Sequence, residues 1–341
     1  MSDVAVAGGQ AARQRGQGTA AEGIWQPPDT RRVLQLALAA IWLLDAVLQY
    51  QSFMFTTGFS QMLAGTASGN PGVIASPITW DARLVGHHLV LVNTIFATIQ
   101  LLLGLGIAWR PTLRVALAAS IAWSLGVWWF GEGLGGVLNG AASPLNGAPG
   151  AVIIYALLAV LLWPSDRYAA TAPFPAARAV GAPVARALWL VLWGCLAYFA
   201  LVPANRAPQA LHDMIAGMAD GQPGWLAALD NHAASLLAHE GLAASIVLAI
   251  ALVVIAVGVY LPRPAARATV VLAIVVAALI WVFGEAFGAI LAGGATDPNS
   301  GLLLILLALS YWPSRAVATA PEATAPAATG QPAAGQEGAV A

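Results

Sequence analysis

Apolar residues run through the chain in long blocks, interrupted by Arg-Pro, Pro-Gly or charged turns. Uncharged runs of about twenty residues predict membrane-spanning helices. Eight are expected, at about Val33–Tyr50, His88–Trp109, Thr112–Leu134, Gly150–Trp163, Ala185–Val202, Ala233–Leu261, Ala265–Ile290 and Ser300–Trp312. The segments 51–87 and 203–238 are too polar to span. Within them Phe53, Phe55, Phe59, Met62 and Leu63, and likewise Leu211, Met214, Ile215 and Met218, share one face. That spacing predicts a short interfacial helix in each segment, broken by the following Pro-Gly. Residues 1–30 and 316–341 are rich in small and polar residues and read as disordered tails. The first tail has no apolar core, so no cleavable signal peptide is expected.

The turns repeat. Trp128-Trp129-Phe130-Gly131-Glu132 matches Trp281-Val282-Phe283-Gly284-Glu285, and the same offset of 153 aligns Arg110-Pro111 with Arg263-Pro264. One residue less pairs His87-His88 with His239-Glu240 and Asn70-Pro71-Gly72 with Gln222-Pro223-Gly224. Trp163-Pro164-Ser165 meets Trp312-Pro313-Ser314. The chain therefore reads as a tandem duplication, with four-span units at 31–166 and 184–315 joined by a Pro/Ala/Arg-rich linker at 167–183. An even number of spans per unit inserts both the same way up, about a pseudo-two-fold along the membrane normal. The expected fold is all-α, a polytopic membrane protein of two parallel four-helix repeats.

Charge sets the orientation. All 14 basic residues are arginines. With both termini in the cytoplasm, twelve lie inside and only Arg83 and Arg206 outside, the pattern of a multi-pass plasma-membrane protein. The outer side collects Asp81, Asp213, Asp220, Asp230, Glu240 and Asp297, with all five histidines. Composition narrows the function classes. The chain is 59% apolar and 9% charged, against about 25% charged for soluble domains. A net charge of -1 gives no basic footprint for nucleic acid. The single cysteine, Cys195, excludes an internal disulfide and any Cys-x-x-C motif.

Candidate chemistry follows from polar residues in apolar surroundings. Glu132 stands twenty residues, roughly 30 Å, above Thr112 at the outer edge of its span, and Glu285 is its repeat mate. A carboxylate there is a functional candidate, or a helix-end group turned to water. Gly131 and Gly135, like Gly284 and Gly288, form G-x-x-x-G and are expected to pack helices closely, an interface between the two halves being one such place. His87, His88, His239 and Glu240 are at the same depth as the glutamates and suggest an outer site for a divalent metal or a proton relay. Haem held between the repeats is a further reading of the paired histidines. His212, Met214 and Met218 form a soft-ligand set suited to copper, or simply an apolar face. Asp45 falls mid-span, and Gln49, Asn93, Thr94, Thr98, Gln100, Ser120 and Ser124 add polarity to the first half, whereas the second half is nearly bare. A polar cavity is expected in the first half, unless these groups only bond one another. No P-loop, nucleotide fold or protease motif is present.

Ala97–Trp123 (ATIQLLLGLGIAWRPTLRVALAASIAW) is a Gly-rich span, a basic turn and an Ala-rich span, preceded by Phe59–Gly72 with its Phe-Ser-Gln-Met-Leu-Ala-Gly and Asn-Pro-Gly. This resembles the DoxX-like membrane proteins, with a weaker second copy at Leu252–Leu279. The resemblance implies a fused pair of four-span units and an accessory or redox-linked membrane subunit, associated with a quinone and with a redox partner protein. Gln100 stands where the family often carries a carboxylate. A tandem-repeat transporter and a non-catalytic assembly protein are the competing expectations. A through-path from Asp45 to Glu132 favours transport, a closed outer pocket favours binding or redox work, and dry packing favours assembly.

Overall fold

The structure is a computed structural model that describes residues 29–314. The two expected tails therefore lie outside the described residues, apart from Asp29 and Thr30. Every described element is helical, and no strand occurs among the described residues. Helix α1 (Thr30–Leu48) starts at an Asp29 cap, whose carboxylate accepts from the Arg31 N–H. Then come α2 (Thr57–Gly65) and α3 (Gly72–His87), split at Asn70-Pro71, followed by α4 (Leu89–Ala108), α5 (Leu113–Phe130) and α6 (Ala151–Leu161). After a one-turn helix α7 (Ala177–Val180) the order recurs. It runs α8 (Ala182–Ala200), α9 (Ala210–Met218), α10 (Gly224–Leu236), α11 (Gly241–Gly258), α12 (Arg263–Leu279) and α13 (Asn299–Ser310).

Five helical stretches are long and apolar enough to cross a membrane: Leu89–Ala108, Arg110–Phe130, Ala182–Ala200, Gly241–Gly258 and Arg263–Ala292. Less than half of each is buried in the protein, so the rest of an apolar surface faces outward. A bilayer is the environment that accommodates such a surface. The chain is an all-helical membrane protein.

The other three expected spans take a different form. Helix α1 has the length, but Arg31, Arg32, Gln35 and Asp45 make it too polar to stand alone in lipid, and all but Arg32 are buried against protein. Helices α6 and α13 have only 11 and 12 residues, roughly 17 Å against a hydrocarbon core of about 30 Å. Irregular chain, 131–150 and 285–298, supplies the remaining height, and such backbone is tolerated in a membrane only where protein encloses it.

The packing explains the polar residues of α1. Its Arg32 guanidinium donates to the Ile107 carbonyl at 3.1 Å and to that of Ala108, the open C-terminal end of α4. The Gln35 amide donates to the Leu162 carbonyl at 2.8 Å, past the end of α6. Arg31 donates to the Ser165 carbonyl and pairs with Asp166. Cations and donors at helix C-termini satisfy orphan carbonyls and oppose the negative end of the helix dipole.

In each half the first long helix lies against the second, α1 on α4 and α8 on α11, and the third against the short fourth, α5 on α6 and α12 on α13. The two short helices α6 and α13 also pack on each other and carry one core across both halves. The expected linker belongs to this core. Ala176 and Ala177 are fully buried, the Phe174 ring lies 4.9 Å from that of Tyr311, and the Ala176 N–H donates to the Ser310 carbonyl.

Candidate functional site

At the end of the bundle opposite the arginine clusters, the chain leaves α5 and turns back. Trp128 and Glu132 are four residues apart and so point from one helix face. The Trp128 indole donates to the Pro149 carbonyl at 2.7 Å, and the Glu132 carboxylate accepts from the Val152 N–H at 3.2 Å. The same clasp recurs in the second half. The Trp281 indole donates to the Pro298 carbonyl at 2.8 Å, and Glu285 accepts from the Gly301 N–H at 2.9 Å and from the Ser300 hydroxyl. Each glutamate is a remote N-cap: it satisfies orphan N–H groups of the short fourth helix and faces the positive end of its dipole. This architectural role requires a carboxylate in both halves.

The G-x-x-x-G expectation is corrected here. Gly135 and Gly288 have left the helix and adopt φ of 62° and 72°. A Cβ at Gly135 would run into the Pro149 backbone, and one at Gly288 into that of Pro298. They allow the tight return of the chain and make no helix–helix crossing. Gly131 faces its own preceding turn at Val127, and only Gly284 approaches the other half, at Leu145.

Between α1, α4, α5 and α6 lies a cavity of about 300 Å³. Asp45 and Gln100, from the interiors of α1 and α4, line it with Gln49, and Glu132, Asp81 and Asp297 also border it. Asp297 comes from the loop before α13, so the second half supplies an acid to a cavity in the first. Trp42, Phe96, Trp123 and Tyr155 form much of the wall. Asp45 is 1% exposed and its Oδ2 accepts from the Tyr155 hydroxyl at 2.6 Å. Asp297 accepts from the Thr296 hydroxyl and the Asn299 N–H. Asp81, on α3, lies outside the spanning segments, and burial raises its carboxyl above the ordinary range.

Glu132, Thr296 and Asp297 also border a second, wider cavity of about 660 Å³, rich in glycine and backbone. The two cavities share these residues and form a vestibule leading to a deeper pocket. Nearer the arginine end on the same helices, Leu38, Leu103, Ile107, Leu117 and Leu158 are buried in the common core.

The structure places the histidines elsewhere. His87 borders a shallow surface depression with Ser60, Thr79 and Arg83, and His88 is exposed. His239 is exposed with its ring beside the Gln209 amide, and Glu240 is exposed on the following residue. The His212 ring meets Asp213 at 2.9 Å, while Met214 and Met218 are half-buried along α9. Among the described residues no three His, Cys, Asp or Glu side chains come together in a way that could hold a metal ion. The outer histidines and Glu240 are therefore not brought into one group with Glu132 or Glu285. The acids of the pocket are spread along a cavity and do not converge on one point.

Comparisons with protein-family models, with curated proteins and with solved structures find no match. The site rests on its own geometry. Asp45 and Gln100 were legible as polar residues in apolar runs. Tyr155, Trp42 and Asp297 were not. Asp297 stands where the first half has Ala148, counting back from the shared Trp-Pro-Ser, and that mismatch was the available signal.

Proposed function

We propose that this chain is an integral membrane binding protein, in which two DoxX-like four-helix units arose by tandem duplication and the first holds a small ligand. In this reading both termini lie in the cytoplasm of a plasma membrane, so the vestibule opens outward. The twelve-to-two distribution of arginines supports the orientation, and the recurring element order and the paired Trp/Glu clasps support the duplication. All eight expected elements belong to the membrane domain, the three weaker ones shielded by their neighbours.

One observation carries the binding role: Glu132 and Asp45 line one pocket, and the core residues that lie beyond it toward the arginine end are buried. A blind, outward-opening pocket holds a ligand, whereas conduction needs a path to the other face. The accessory role implied by the DoxX-like resemblance is compatible with this, and for its quinone the wall offers the N–H groups of Gln49, Gln100 and Trp123. A quinone carbonyl asks for donors. The Tyr155 hydroxyl, the Trp42 indole and the Thr296 hydroxyl are already committed to Asp45, Ser120 and Asp297. Haem has no histidine on the pocket wall.

Accessibility tests the reading. In a Cys195→Ser background, Met62→Cys reports on the rim and Gln100→Cys on the depth. A membrane-impermeant thiol reagent is expected to label both from the outer face only, in intact cells and not in inverted vesicles. Labelling from both faces would overturn the reading in favour of transport. Labelling from neither would favour a dry assembly protein.

A further inference from the structure

We infer that the occupant of this pocket is a small organic cation, a protonated amine carried on an aromatic or apolar body. The inference rests on the binding role proposed above and adds the class of ligand.

The argument starts from unpartnered atoms. Asp45 Oδ1, Glu132 Oε2, Gln49 Oε1 and Gln100 Oε1 are buried without a hydrogen-bond partner. All four belong to residues that line the one cavity, and all are acceptors. Buried polar atoms in native proteins are rarely left orphaned, least of all carboxylates at membrane depth. What completes this set must bring donors.

Charge narrows the donor. Asp45, Asp81, Glu132 and Asp297 line the pocket, and neither it nor the vestibule has an arginine or histidine on its wall. The chain has no lysine. Arg83, the nearest basic residue in sequence to Asp81, faces the separate depression beside His87. No basic side chain lines either cavity, so a positively charged ligand is the counter-ion that would hold these acids ionised.

Geometry then separates an organic cation from a metal ion. A bare divalent ion needs its carboxylates within one coordination sphere, and no such group forms among the described residues. A molecule several atoms long can reach acceptors spaced along a cavity. The volume, about 300 Å³, is at the lower end of small-molecule sites. The walls supply the remaining recognition. Trp42 and Tyr155 lie with ring centroids 4.3 Å apart, and Phe96 and Trp123 at 5.4 Å. Aromatic surface around a carboxylate suits an ammonium group, through the ring quadrupole, and the apolar body attached to it.

Binding to the purified full-length protein in nanodiscs tests this, measured by calorimetry at neutral pH against empty nanodiscs. Three probes share one ring: benzylammonium, the neutral benzyl alcohol and the anionic benzoate. Benzylammonium is expected to bind at least about tenfold more tightly than benzyl alcohol, with no binding of benzoate. The double variant Asp45→Asn/Glu132→Gln is expected to erase that preference. Equal affinity for alcohol and ammonium, or a preference that survives in the double variant, would overturn the inference. If the double variant does not fold, the ranking of the three probes on the unaltered chain decides. Outer-face labelling at Met62→Cys and Gln100→Cys with no ammonium preference would sink the ligand class and leave the binding role standing. Absence of labelling would sink both.

Discussion

The two halves share an element order and a clasp, yet the polar pocket lies in one, and the other has buried apolar side chains at the matching positions. At the offsets that align the repeats, Gln100 corresponds to Leu252, Ser120 to Ala273, Ser124 to Ala277 and Tyr155 to Leu304. Those four second-half residues are fully buried within the core. Helix α8 carries no acid where α1 carries Asp45, and its Trp189 and Trp193 fill the interior, both 0% exposed. A four-helix scaffold thus needs no cavity for its own stability. The second half keeps unpartnered acceptors of its own, both Asp230 carboxylate oxygens among them, but none at the positions that match Asp45 and Gln100, and a cost retained at those positions in only one copy points to use. The Trp/Glu clasp differs in kind. It persists in both copies because each short fourth helix begins inside the protein and its N–H groups need an acceptor.

The largest expected effect comes from imposing first-half chemistry on the second. Leu252→Gln buries an amide with no partner in a filled core and removes apolar contacts. It is expected to destabilise by about 3 kcal/mol in unfolding measurements on detergent micelles. The two halves are equivalent in packing, and the comparison fails, if the cost is below about 1 kcal/mol.

The clasps sharpen the comparison next. Glu285 is 1% exposed and holds Ser300 and Gly301, whereas Glu132 is half-buried with one oxygen free for the pocket. Glu285→Ala is expected to cost about 2 kcal/mol and Glu132→Ala about 1 kcal/mol. The reverse order would mean that Glu132 carries more of the fold than its single Val152 contact provides.

Gln100→Leu makes the converse change, giving the first half the residue of the second. Stability is expected to change by less than about 1 kcal/mol, because the amide oxygen lost was already without a partner. Binding of benzylammonium is expected to weaken at least about tenfold. Unchanged affinity would place the ligand higher, between Glu132 and Asp297.

Much of this contrast was legible in the sequence, and for a physical reason. Hydropathy reports how a segment meets lipid, so the long helices α4, α5, α8, α11 and α12 stood out. Polar residues inside apolar runs marked Asp45 and Gln100 for the same reason. Depth was not legible. Ala151–Leu161 and Asn299–Ser310 are as apolar as spans, but their length is set by how far 131–150 and 285–298 dip into the bundle, which is a tertiary fact. The G-x-x-x-G pairs misled because the same glycines serve a crossing helix or a left-handed turn, and only the backbone path distinguishes them. Histidines aligned in sequence were assigned to the glutamates by depth alone. Their side chains point to surface positions on α3 and the α10–α11 turn, away from the cavity.

The smallest expected effect lies at the arginine end, where the halves also differ. In the first, Arg178 joins Asp29 at 2.7 Å and Asp166 at 2.8 Å, and Arg31 joins Asp166 at 3.1 Å. In the second, Arg263 reaches the Ser314 carbonyl and no carboxylate among the described residues. Slight desolvation pushes the Asp166 carboxyl up, and the hydrogen bonds and charges of Arg31 and Arg178 outweigh it, holding the group below its ordinary range. A depressed carboxyl contributes stability that is complete above its unfolded value, about 3.9, and that fades as pH falls through the lower folded value. Asp166 is largely exposed, so solvent screening limits the contribution to about 0.5 kcal/mol. Asp166→Asn is therefore expected to lower stability by that small amount at neutral pH, with the parent and variant curves converging below about pH 4. A gap that persists or widens in acid would show that the asparagine is disfavoured for its shape and that the charge latch contributes nothing to holding the first half closed.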